Sequence, residues 1–224
     1  MSSTVQTEMS SNLANFRQLA KKIVCVGRNY REHAAELNNP VPKKPMLFLK
    51  STNALLADGG TIIAPPGCQD LHQEVELALV IAKTAKNVKK EDAYNYIGGY
   101  TVALDMTARD LQNEFKSKGS PWFLAKSFDT SCPVAGFVDK SKVQDPHKLE
   151  LECKINGEVK QRDLTDSMIF DIPTLIEFTT SYVTLEPGDL LLTGTPKGVC
   201  SCKAGDTIEI RLSDLVKASF VVGK

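Results

Sequence analysis

The run His72-Gln-Glu-Val-Glu-Leu-Ala-Leu-Val-Ile81, with Gly98-Gly-Tyr-Thr-Val-Ala-Leu-Asp105 behind it, decides how this chain is read. As a strand, the first run has a period of two, so Glu74 and Glu76 share a face with the apolar Ala78 and Val80. Both carboxylates then head toward a core, and Asp105 closes the next apolar run. Burying an ionised carboxylate costs several kcal/mol unless a cation compensates it. An all-oxygen set of Glu74, Glu76 and Asp105 suits a hard divalent ion such as Mg2+ or Mn2+. Three acids leave coordination positions open for water or for a chelating substrate, which points to an enzyme. The competing reading has the two glutamates facing water and Asp105 capping a helix.

The rest of the composition narrows the partner. The 224 residues carry 27 basic and 27 acidic side chains with no basic stripe, which argues against nucleic acid or an anionic membrane surface. A small molecule is the natural partner. No apolar run approaches the ~20 residues that cross a bilayer. The six cysteines include no CxxC pair, so they read as free thiols in a reducing compartment, with Cys200-Ser-Cys202 expected at the surface. Residues 1–20 read as a loosely attached tail or part of a targeting segment, and 21–224 as one catalytic domain.

Along the chain, Ile23-Val-Cys-Val26 and Met46-Leu-Phe-Leu49 read as strands, and Asn29 as the cap of a helix from Tyr30 to about Leu37. Thr107 is the expected N-cap of a second helix. Leu149 to Ile155 alternates strictly before Asn156-Gly157, a hairpin signal. Asp171-Ile-Pro173 opens a helix with Leu175, Ile176, Phe178 and Tyr182 on its expected buried face. Strands outnumber helices without regular alternation, so the fold class is α+β with a mixed, mainly antiparallel sheet.

Further residues carry possible chemistry. His33 and Glu36 lie three apart on the first helix, so the carboxylate can orient the imidazole as a base, although such pairs are often idle on a surface. Arg109 and Gln112 share a helix face just after Asp105, and Lys50 and Lys126 each follow an apolar run. Cations so placed would recognise a carboxylate or stabilise an enolate, unless the lysines snorkel outward. Gly194-Thr-Pro-Lys-Gly198 makes a tight loop whose N–H groups and Thr195 hydroxyl could bind a carboxylate, or a plain turn.

Taken in order, Gly27-Arg-Asn-Tyr30 with His33, then Glu74-Val-Glu76, Asp105-Met-Thr-Ala-Arg109, Lys126-Ser-Phe-Asp129 and Thr193-Gly-Thr-Pro-Lys-Gly198 resemble the fumarylacetoacetate hydrolase superfamily. The resemblance spans roughly residues 21–222. It implies a mixed β-roll, a homodimer, and Mg2+ or Mn2+ on Glu74, Glu76 and Asp105. It implies a His33–Glu36 catalytic dyad on a lid helix, Lys126 supporting an enolate, and Arg28, Lys50, Arg109, Gln112 and Thr195 holding a 2-oxo acid. The activity implied is that of mitochondrial members: acylpyruvate hydrolysis and oxaloacetate decarboxylation in the matrix, the cytosol being the alternative place. Oxaloacetate keto–enol tautomerisation is the alternative reaction, and a non-catalytic oxo-acid-binding module is the alternative role. Cys200 and Lys203-Ala-Gly-Asp206 depart from the pattern, beyond Thr195.

Overall fold

The computed structural model describes residues 12–36 and 40–224. Two mixed sheets use β1 (Ile23–Gly27), β2 (Met46–Lys50), β3 (Thr61–Ile62), β4 (Val75–Ile81), β5 (Ile97–Leu104), β6 (Val138–Asp139), β7 (Glu150–Ile155), β8 (Glu158–Leu164), β9 (Leu190–Leu192), β10 (Thr207–Leu212) and β11 (Val216–Val222). The six-stranded sheet runs β6-β5-β4-β9-β1-β2 and the five-stranded sheet β8-β7-β10-β11-β3. Only β1–β9 and β11–β3 pair in parallel within them; the other neighbours are antiparallel. The helices are short: α1 (Phe16–Leu19), α2 (Arg31–Glu36), α3 (Arg109–Lys118), α4 (Phe123–Lys126) and α5 (Ile172–Tyr182). This is the α+β architecture that the strand-rich pattern predicts.

The alternation of β4 sorts its side chains between two apolar clusters. Val75, Leu77, Leu79 and Ile81 enter a large core with Leu151, Ile208, Ile210 and Phe220 of the five-stranded sheet and Leu175 and Ile176 of α5. Ala78 and Val80, in phase with Glu76, join a second cluster with Cys25, Leu190, Leu192 and Phe16. With both faces covered, β4 is buried along its whole length, as strands enclosed by two layers are. Its register against β5 sets Val75 opposite Leu104, and the next N–H, that of Asp105, donates to the Glu74 carbonyl at 2.8 Å. Two acids far apart in sequence thus meet at one end of a strand pair.

Several local expectations are corrected. Asn29 does not cap α2; its side-chain amide donates to the carbonyls of Thr193 (2.8 Å) and Phe170 (3.0 Å) and accepts from the Phe170 N–H, tying three loops together. Thr107 pairs opposite His72 in a short ladder, and α3 starts two residues later without a side-chain cap. The predicted end of α2 at Leu37 lies outside the described residues. In α5, Asp171 caps the N-terminus as expected, but Tyr182 is 70% exposed and stacks on Phe178, and the buried stripe is Ile172, Leu175, Ile176, Thr179 and Thr180. Cys202 is buried, its thiol donating to the Leu71 carbonyl, because it packs into the large apolar core from the edge strand of a small three-stranded sheet.

The N-terminal expectation also needs correction from residue 12 onward. Leu13 and Phe16 are buried against the second cluster, so the chain is docked before β1 begins. Phe16→Ala is expected to lower unfolding stability by ~3–5 kcal/mol, the range for emptying a buried aromatic site. Urea titration with an unchanged denaturant slope checks it; a loss under ~1 kcal/mol would mean that α1 contributes little packing.

Candidate active site

Glu74, Glu76 and Asp105 are all buried, and one carboxylate oxygen from each lies within 4.8 Å of the others. The strand register described above supplies Glu74 and Asp105, and the phase of β4 supplies Glu76. Cations meet two of these acids. Lys126 Nζ, at the end of α4, sits 2.9 Å from Glu74 Oε2 and 2.7 Å from Asp105 Oδ2, and also donates to Thr107 Oγ1 at 2.6 Å. Lys50 Nζ lies 2.8 Å from Asp105 Oδ1, an ion pair without hydrogen-bond alignment, and donates to the carbonyls of Met106 and Lys126. Arg109 contacts the other Glu74 oxygen, donates to Gln112 Oε1 at 2.6 Å, and leans on His72 Nδ1 at 3.4 Å. The two lysines therefore do not snorkel; both are buried.

Glu76 differs from its neighbours. Its Oε2 accepts the Gly194 N–H at 2.7 Å, and no cation lies within ion-pair distance of it among the described residues. Burial first, then the nearby charges of Asp105 and Glu74, push its carboxyl well above the usual range. For Glu74, burial acts in the same upward direction, but Lys126, Arg109 and His33 outweigh it and hold the carboxyl well below the usual range. The Lys126 ammonium loses hydration by burial, yet Asp105 and Glu74 hold its proton more firmly than usual. A carboxylate cluster with one member lacking a cation fits a divalent ion: the donors are all oxygen, they converge, and Glu76 has no cation in contact among the described residues.

The Thr193–Gly198 loop does bind a carboxylate, but it is that of Glu76. Thr195 Oγ1 donates to the Val75 carbonyl at 2.8 Å and accepts from Gln161 at 2.8 Å, so the loop is stitched to the edge of β4. Gly194 has φ of +100°, and a Cβ there would lie 2.7 Å from Asn29 Cβ, so the turn that aims its N–H at Glu76 requires glycine. Above this floor, His33 Nδ1 is 3.2 Å from Glu36 Oε2, while the other Glu36 oxygen accepts the Gly198 N–H at 3.1 Å. Glu32 pairs with Lys197 at 2.8 Å, so α2 rests on the loop by two contacts.

One cavity is lined by Glu74, Glu76, Lys126, Arg109, Gln112, His33, Arg28 and Thr195. Lys50, Asp105 and Glu36 support it from behind or beside. Arg28 follows β1 with φ of +59°, a left-handed conformation that a non-glycine residue keeps only where the surroundings enforce it. Sequence reasoning missed Gln161, whose role depends on a contact between sheets and has no local signal. It also missed Phe48, Lys116 and Trp122 in the cavity wall. Lys116 was legible, because it follows Arg109 and Gln112 at the i, i+3, i+7 spacing of one helix face.

Comparison with known proteins gives the same reading. Residues 22–222 match the family described as fumarylacetoacetate (FAA) hydrolase C-terminal. The chain is 61% identical to oxaloacetate tautomerase fahd-1, mitochondrial, of Caenorhabditis elegans, over 95% of this chain and 99% of that protein. It is 46% identical to a protein of Dictyostelium discoideum named oxaloacetate decarboxylase, mitochondrial, over 89% and 92%. The crystal structure of fumarylpyruvate hydrolase from Pseudomonas aeruginosa in complex with Mn2+ and pyruvate superposes with a TM-score of 0.87 at 32% identity, covering 91% of this chain and 90% of that one. With residues 22–222 matched by the family and nearly its whole length in common with these proteins, the chain belongs to the fumarylacetoacetate hydrolase family.

Proposed function

We propose that the protein is a Mg2+- or Mn2+-dependent enzyme that makes the enolate of pyruvate or oxaloacetate from 2,4-dioxo acids and oxaloacetate. The observation that carries this reading is Glu76, a buried carboxylate without a cation, on the floor of a cavity that also holds Lys126 and His33. Glu74, Glu76 and Asp105 would hold the ion, which when bound supplies electrophilic stabilisation of negative charge on the 2-oxo group. Lys126 stands beside those acids with its three N–H groups on Glu74, Asp105 and Thr107, so its ammonium would stabilise the developing enolate through its charge. Arg109 and Arg28 offer guanidinium donors to the C1 carboxylate, with Gln112, Lys50 and Thr195 fixing their surroundings.

For an acylpyruvate, His33, oriented by Glu36, takes a proton from water as the water oxygen adds to the C4 carbonyl. The C3–C4 bond then breaks, its electron pair remaining on the three-carbon fragment as pyruvate enolate, and the acyl group leaves as a carboxylic acid. For oxaloacetate, the same bond breaks with loss of CO2 and no water is needed. Tautomerisation needs only removal of a C3 proton and its return to the oxygen, and the name of the nematode relative favours it as a parallel activity. A merely structural cation would need no roofing His–Glu pair, which weighs against a non-catalytic module. The names of the relatives favour a mitochondrial enzyme. Exposed Leu49 on edge strand β2, with Phe123 and Leu124 on α4, offers the apolar surface a homodimer would cover.

Pyruvate release from acetylpyruvate and oxaloacetate by metal-stripped protein, with and without Mg2+, tests the proposal, with Glu74→Ala as control. Turnover is expected only with Mg2+ and only in the wild type; turnover by the stripped protein would overturn it. His33→Ala is expected to slow acetylpyruvate hydrolysis by ~10²–10⁴-fold while leaving Mg2+ affinity intact, as removal of a general base does. Equal loss of both would remove the dyad from the mechanism.

Linkage gives a further prediction. A carboxyl whose folded pKa is raised contributes stability below its unfolded pKa and loses it as pH rises through the folded value. Glu76 is such a group in the metal-free protein. Glu76→Gln is therefore expected to raise the melting temperature of metal-free protein at pH 8, with the gain fading toward pH 4 and cancelled by saturating Mg2+ in the wild type. No gain at pH 8 would show that Glu76 is already compensated.

A further inference from the structure

Helix α3 presents three residues to the cavity, Arg109, Gln112 and Lys116. The first two are committed to partners, Arg109 to Glu74 and Gln112 to Arg109. Lys116 is not. Its neighbour on the outer face, Lys118, pairs with Glu114 at 2.6 Å, whereas no carboxylate lies within ion-pair distance of Lys116 among the described residues. Its ammonium instead lies 5.3 Å from the centroid of the Trp122 ring, and Trp122 stacks edge-on against Phe48 at 6.0 Å. The three side chains line the same cavity wall.

The electrostatics of this position run against leaving it empty. Lys116 is exposed at the cavity rim, yet loss of hydration on its cavity side, then the charges of Arg109, Arg28 and Lys126, lower its pKa to about 8. A cation that loses hydration among three other cations, with only an aromatic face opposite, is stabilised by an arriving anion. A dipole role at the last turn of α3 explains a positive charge there, but not its turning toward the cavity, since Lys118 serves the helix end as well.

We propose that Lys116, steadied by Trp122, is the subsite for a second carboxylate at the distal end of the 2-oxo acid, so that this chain favours dicarboxylic substrates over those ending in an alkyl group. The inference rests on the enolate-forming function proposed above and adds its substrate class. Arg28, with the two N–H donors that Arg109 keeps beyond His72, Gln112 and Glu74, then serves the proximal carboxylate, and Lys116 reads the far end of the same molecule.

Two measurements on the Mg2+-loaded protein test it. In Lys116→Met, kcat/KM for oxaloacetate is expected to fall about tenfold, the worth of one charge-assisted contact at a half-open site, while that for acetylpyruvate stays within about twofold. Lys116→Arg should restore most of the loss. Calorimetric titration with 2-oxoglutarate and with 2-oxovalerate, which matches it in carbon number but lacks the distal carboxylate, should show a wild-type preference for the diacid that disappears in Lys116→Met. A loss shared equally by both substrates, or a diacid preference unchanged in Lys116→Met, would overturn the assignment, the former marking a structural role of the helix end. If the wild type turned over neither substrate, the reaction assigned above would fail, and the titration pair would still decide the subsite.

Discussion

The need to keep Glu76 ionisable inside a core governs the rest of this structure. Its phase in β4 places the side chain among Ala78, Val80 and two neighbouring carboxylates, where an unpaired charge costs several kcal/mol. The protein supplies only one N–H, that of Gly194, and delivering that N–H requires a glycine at positive φ packed against Asn29. Asn29 in turn fixes the Thr193 and Phe170 carbonyls, so the loops that wall the cavity are set by the same cluster that holds the acid. The proposed divalent ion would complete this compensation.

The neighbouring acids show the contrast. Glu74 and Asp105 each face cations, Lys126 and Arg109 for Glu74 and Lys126 and Lys50 for Asp105, although Asp105 Oδ1 takes no hydrogen bond, and these contacts join β2, α3 and α4 to the end of β4. Such pairs add little net stability relative to apolar packing, but losing one partner leaves an exposed liability of several kcal/mol in the core. The arrangement specifies geometry more than it stabilises the fold. Stability comes from the two apolar layers on either side of the six-stranded sheet.

How far the sequence disclosed this depends on the range of each interaction. The strand carrying Glu76 was legible because a period of two is local, and the Asn156-Gly157 hairpin because its turn chemistry is local, but the expected strand over 72–81 is broken at Gln73 and Glu74, so Glu74 precedes the strand instead of sharing it. The convergence of Glu74 with Asp105 could be suspected, but it depends on a register that only strand pairing fixes. Asn29 and Thr107 misled for the same reason in reverse. Both have the right chemistry for helix caps, but distant carbonyls and Lys126 offer them buried hydrogen bonds that a local cap cannot match. Phe16 was misjudged because one aromatic residue in a polar segment carries no period, although its ring fills a pocket beneath β1 and β9. Gln161 was invisible because its partners lie on the β4 edge and in the Thr195 loop, far away in sequence.

Charge accounting links these observations to the order of events in the cavity. Counted as ionised, the three acids are balanced by Lys50, Lys126 and Arg109, all within contact of Glu74 or Asp105. A bound dication would therefore leave the floor of the cavity with two net positive charges, and Arg28 and Lys116 in its wall, without ion pairs among the described residues, add to that field. In a site partly shielded from water, such an excess favours an anion far more than it would at an open surface. Ion and substrate, bound as proposed, would thereby be coupled: the cation would raise the affinity for an oxo acid, and by reciprocity the oxo acid would raise the affinity for the cation. A dianion neutralises the floor, where a monoanion leaves one positive charge uncompensated, so the same balance that admits the metal also grades substrates by their charge.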